Sequence, residues 1–117
     1  MVRVLGYLML AANTIAANHI TPNSNTILGG EIYHDRCKAC HGDRGDGKTF
    51  TANALFPPPK NFTAKTTKEK LTRKQMIHSV TKGRSNTAMM PWKDVLSEHE
   101  IQSVVSYIRK ELMQLKE

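Results

Sequence analysis

Five consecutive residues constrain this chain more than any others: Cys37-Lys38-Ala39-Cys40-His41. Two cysteines three apart, followed at once by histidine, is the spacing of covalent haem attachment. Cys37 and Cys40 lie about one helical turn apart, so both thiols can face one edge of a flat macrocycle and add to its two vinyl groups. His41 comes next in the chain and can turn its Nε2 under the ring to the iron. Other readings of the motif make demands on the rest of the sequence. A zinc site needs about four ligands, and the chain has only two cysteines. A thioredoxin-type redox pair needs strands alternating with helices, and no strand-like alternation occurs here. A structural helix that carries the pattern by chance remains as the bland reading.

A haem also fits the composition. The 117 residues suffice for one domain. Only 39% are hydrophobic and 6% aromatic, which makes a modest core. A covalently held haem adds a large apolar surface for helices to pack around. The net charge of +7 suits nucleic acid, an anionic membrane or an acidic protein. No nucleic-acid motif stands out, so an acidic protein partner leads. Lys60, Lys65, Lys68, Lys70, Arg73, Lys74, Lys82 and Arg84 form a basic band with Glu69 as its one acid. The band reads as a docking face or as a merely solvated one.

Residues 1–17 read as a short export signal, with Arg3 as sole charge and a brief apolar run from Val4 to Ala11. Thr14/Ala16 or Ile15/Ala17 could flank a cleavage point; an uncleaved interfacial anchor is the alternative. The run is too short for a membrane span. Export suits haem attachment, and it predicts a periplasmic protein whose only membrane contact is an uncleaved N-terminus. A polar lead-in over residues 18–25 then precedes a domain over residues 26–117.

Within that domain a first helix is predicted from Thr26 or Ile27 into Cys40. Gly42-Asp43-Arg44-Gly45-Asp46-Gly47-Lys48 makes a tight polar loop, whose acidic spacing is wrong for an EF-hand. Residues 49–66 contain Pro57-Pro58-Pro59 and should be irregular, with Phe50, Leu55, Phe56 and Phe62 covering one side of the haem. Thr72 and Gln75 form a capping box for a second helix that Gly83 ends. Residues 84–96 are a loop. Ser97 and Glu100 cap a last helix with Ile101, Val104, Val105, Ile108, Leu112 and Leu115 at helical spacing. The fold class is all-α, with three to five helices around one haem.

With these pieces placed, residues 26–112 resemble the class I c-type cytochromes, single-haem electron carriers. The resemblance rests on Gly29-x-x-x-Tyr33 before Cys37-x-x-Cys40-His41-Gly42, and on Asn61-Phe62-Thr63 after the prolines. Gly83, Trp92, Leu96-Ser97 and Val104-Val105-x-Tyr107-Ile108 complete it. It implies that the first and last helices cross, Gly29 and Tyr33 meeting Val104 and Tyr107. It implies a methionine as sixth iron ligand, with an aromatic three residues later and Leu-Ser beginning seven later. Met89 has Trp92 and Leu96 at those places; Met90 has the Met-Pro dipeptide and is the runner-up. Met76 reads as helix core, and Met1, Met9 and Met113 as terminal. His78 is the rival ligand; His34 is too close to His41, and His99 falls in the last helix's first turn. The resemblance also supplies a carbonyl acceptor for His41 Nδ1–H, at a place held here by Phe50. Trp92 is expected to hydrogen-bond a haem propionate or to pack in the core.

The leading function is therefore a one-electron carrier without enzymatic activity, docking transiently with redox proteins. A haem subunit held in a larger oxidoreductase complex is the alternative. A haem enzyme or gas sensor with a labile sixth ligand comes third, since an open site needs no positioned thioether.

Overall fold

Asn23 sets the start of the first helix. Its side chain accepts from the Asn25 N–H at 3.1 Å, and α1 runs Ser24–Arg36, beginning ahead of the expected Thr26. The computed structural model describes residues 23–117; the expected export signal, with Met1 and Met9, lies outside the described residues. Helix α1 does not continue into Cys40. Cys37 has φ −115°, far from the helical value of about −63°, and the chain restarts as α2 (Lys38–His41).

The glycine loop follows, then a single 3-10 turn, Ala52–Ala54. Helix α3 (Lys65–Lys70) was not legible, because Lys-Thr-Thr-Lys-Glu-Lys carries no apolar stripe and no side chain caps it; Thr67 is its one buried residue. Helix α4 (Arg73–Lys82) and helix α5 (Glu98–Tyr107) start where the sequence places them. Both expected capping boxes form: Thr72 with Gln75, at 2.9 and 3.2 Å, and Ser97 with Glu100, at 2.9 and 3.1 Å. No strand occurs among the described residues.

The expected run of α5 to Leu115 is broken. After Tyr107 the helix widens into a π turn, Ile108–Leu112, closed by the Met113 N–H donating to the Ile108 carbonyl at 2.8 Å. The extra residue brings both Ile108 and Met113 inward. Met113, read as a terminal residue, is a fully buried part of the core.

Helices α1 and α5 cross as the resemblance implies. The Gly29 backbone lies directly on α5: a Cβ there would sit 2.1 Å from the Ser103 carbonyl oxygen and 2.8 Å from Tyr107 Cβ. Tyr33 and Tyr107 pack with ring centroids 5.5 Å apart, and Tyr33, Val104 and Val105 are fully buried. Met76 and Val80, four apart on α4, bury the opposite wall of this core.

The crossing predicts a graded response to added methyl groups. Gly29→Ala should cost about 3 kcal/mol, the upper end for overpacking, because the new atom meets backbone. Gly30→Ala should cost less, since its Cβ meets only the edge of the Tyr107 ring, at 3.1 Å. Denaturant midpoints at unchanged slope measure both.

Candidate functional site

One apolar cleft of about 280 Å³ opens between the helices. Cys37, Cys40 and His41 front it from the α1–α2 corner. Pro59 and Phe62 come from the proline segment, Met76 and Val80 from α4, and Met89, Met90 and Trp92 from the loop beyond. Its two cysteines are free thiols. Burial, reinforced by the neighbouring Cys40, pushes the Cys37 thiol up to about 12.

The His41 ring is fixed on two sides. Nδ1 lies 3.1 Å from the Lys60 carbonyl, and the ring stacks on Phe62 with centroids 4.8 Å apart at 17°. With Nδ1–H donating, the Nε2 lone pair is left as a ligand. Burial lowers the pKa of the imidazole, outweighing the Lys60 bond, so the ring stays neutral at ordinary pH. The acceptor is thus Lys60 and not Phe50. The reason is how the glycine loop closes: the Gly47 N–H reaches the His41 carbonyl and the Phe62 N–H reaches the Gly45 carbonyl, both at 2.7 Å. This folds residues 59–62 back onto His41. Phe50 is left 95% exposed beside a separate shallow polar hollow, so it is not a wall of the cleft. Tyr33, buried behind the motif, donates its hydroxyl to the Gly42 carbonyl at 2.6 Å and anchors the loop's first turn.

The two candidate methionines differ in setting. Met89 is partly buried against the core and its backbone is held on both sides. Its N–H donates to Thr87 Oγ1 at 3.1 Å, and its carbonyl accepts from the Arg84 N–H at 3.0 Å. Met90 is 47% exposed at the rim. Trp92 is partly buried, and its backbone N–H donates to the Val80 carbonyl at 2.9 Å, tying the loop to α4. His78 lies exposed on α4 and does not line the cleft; His34 and His99 are also exposed.

Leu71 and Ile108, from outside the expected site, complete the apolar wall, and Arg36, Lys60 and Arg84 are the charged residues at its edge. Ile108 and Leu71 belong to segments whose path only the tertiary fold determines. An apolar cleft with two thiols on one side, a neutral imidazole with a free Nε2 and a thioether fits a haem attached through CxxCH. It does not fit zinc: among the described residues, no three His, Cys, Asp or Glu side chains converge.

Comparison with known proteins agrees. The family described as cytochrome c oxidase, cbb3-type, subunit III matches residues 25–108. Among solved structures, the c-type cytochrome KustC0563 is 27% identical at a TM-score of 0.62, over 69% of this chain and 93% of that one. Cytochrome c6 of the diatom Phaeodactylum tricornutum is 26% identical at 0.59, over 76% and 95%. A chain of the Kuenenia stuttgartiensis reducing HAO-like protein complex shares the fold, at 24% identity and 0.60, over 77% of this chain and 44% of that one. No curated protein matches the chain by sequence.

Gly83 is where this loop is most exposed to a test. It ends α4 at φ +69°, and a Cβ there would sit 2.7 Å from the Met89 carbonyl oxygen and 2.7 Å from Pro91 N. Gly83→Ala should destabilise by about 2–3 kcal/mol, read as a lower melting temperature.

Proposed function

Because the chain belongs to the family of cytochrome c oxidase, cbb3-type, subunit III, a c-type cytochrome electron-transfer domain with covalently bound haem c, we propose that it is a single-haem carrier. It passes one electron at a time between protein partners outside the cytoplasm. Bound haem supplies a one-electron iron couple. Cys37 and Cys40 would hold it by thioether bonds, and His41 Nε2 and the Met89 sulfur would bind its iron. Phe62 and Trp92, which line the cleft, would pack against it. What supports this reading is the convergence of these side chains on one apolar cleft, with the His41 ring locked by Lys60 and Phe62. A soft, neutral thioether favours the reduced metal and excludes substrate from the sixth position, which suits a carrier and not an enzyme. Among the described residues no helix is long and apolar enough to cross a membrane. Residues 1–17 act as the export signal, and the residues between it and α1 as a lead-in to the haem domain. A second reading, a subunit held within an oxidase complex, draws on the description of the family itself.

Haem should stay with the protein through acid–acetone extraction, and Cys37→Ala with Cys40→Ala should release it. In the oxidised protein the weak sulfur–iron band at the red edge of the visible spectrum should vanish in Met89→Ala. The reduction potential should fall by about 0.1 V or more, inside the ~0.8 V range that axial ligands command. Met90→Ala should keep the band. Freely extracted haem sinks the whole reading; a band lost in Met90→Ala alone moves the ligand to Met90.

The rim of the cleft narrows the expected docking band. Its charged residues are Arg36, Lys60 and Arg84, beside the exposed Met90; Phe56, expected to cover the haem, is 96% exposed and does not line the cleft. Arg73 drops out of the band, since its guanidinium turns inward to Gln102 and Ser106. Charge reversal at Lys60 and Arg84 should slow low-salt electron exchange with an acidic partner by about tenfold. Reversal at Lys68 and Lys70 should do less. Equal effects from both pairs would return the role to the whole band.

A further inference from the structure

The π turn at the end of α5 does more than bury Met113. It carries Arg109 behind the wall of the cleft. Nη1 of Arg109 donates to the Leu71 carbonyl at 2.9 Å and lies 3.8 Å from the Met76 sulfur. Leu71, Met76 and Ile108 all line the cleft. The Arg109 side chain is only 15% exposed, and its partner is the carboxylate of Glu117, itself 31% exposed. Glu117 also lies 3.7 Å from Arg73 Nη1. Arg73 in turn bonds Ser106 Oγ at 2.8 Å and Gln102 Oε1 at 3.1 Å, fastening α4 to α5. A permanent guanidinium and a carboxylate thus sit together, one wall's thickness from the cleft, the first mostly buried and the second partly shielded from water.

We propose that Arg109 and Glu117 set the reduction potential of the site by their charges, from behind its wall. The proposal rests on the reading that the cleft holds haem. As a donor protein is oxidised, the iron gains one electron and no bond is made or broken; the site's charge falls by one. A fixed cation behind an apolar wall favours that change, and a fixed carboxylate opposes it. Arg109 raises the potential and Glu117 moderates it. Partial burial keeps salt from erasing either effect, as it would for an exposed pair.

A mere clamp and a charge device differ in sign. If the cluster only braces Leu71 and Met76, removing either partner loosens the same wall and shifts the potential the same way. If charge is what matters, the shifts oppose each other. Spectroelectrochemical titration of the haem-loaded protein at low and high ionic strength should find Glu117→Gln raised and Arg109→Gln lowered. Each shift should be on the order of threefold in the one-electron equilibrium constant, tenfold being about 59 mV. Arg109→Lys should stay near the parent. Glu69→Gln, on the exposed pair with Lys65 at 3.8 Å, should leave the potential unmoved. Shifts of the same sign, or none in Glu117→Gln, overturn the proposal. Should Arg109→Gln fail to hold haem, Glu117→Gln and Arg109→Lys still decide it. A parent protein with a reversible couple and same-sign shifts refutes this inference alone; a parent without covalent haem refutes the carrier reading with it.

Discussion

The backbone of α1 rests on the backbone of α5, with Gly29 against the Ser103 carbonyl and no side chain between them. That contact fixes the direction of α1, and α1 ends at the attachment motif. Once its axis is set by α5, the break at Cys37 decides which way the two thiols and the imidazole look. Tyr33 ties the two facts together. It packs on Tyr107 across the crossing and bonds the Gly42 carbonyl just past His41. The rest of the site is hung from this corner by backbone hydrogen bonds, through Gly47, Phe62 and Lys60 on one side and through Val80 and Trp92 on the other.

The described residues have a core that is incomplete on one face. Met76, Val80, Phe62 and Ile108 belong both to the buried cluster and to the lining of the cleft. Their inner sides are packed by α1 and α5, and their outer sides face the cleft. A chain with so few apolar and aromatic residues reaches a stable fold by letting a bound macrocycle finish what its own side chains begin. The attachment motif and the modest composition are two sides of one economy of surface.

What the sequence made legible was local. Both capping boxes are written in residues three apart, and both form. The gathering of Cys37, Cys40 and His41 at one cleft was also readable, because the motif is short and its geometry self-contained; the glycine crossing joins distant residues, and only the resemblance to the class I c-type cytochromes implied it. Helix α3 was hidden, since a helix with one buried threonine leaves no periodic trace. The acceptor for His41 was misread as Phe50. That choice depends on how a glycine-rich loop closes over many residues, and Lys60 is nineteen residues away from the ring it holds. The π turn left no mark at all: its apolar spacing reads equally well as a continuous α-helix, and only the packing of Met113 distinguishes them.

The bond from Arg109 to the Leu71 carbonyl also has a consequence for how the molecule breathes. Helix α3 has little apolar surface to hold it down, so it belongs to the class of segments that open at low free energy while the remainder stays native. Leu71 is the residue at which that opening would otherwise reach the cleft. Pinned by a guanidinium that is itself anchored in the last helix, Leu71 acts as a firebreak. The lysine-rich helix α3 and the wall of the cleft thus share one boundary, a single carbonyl oxygen.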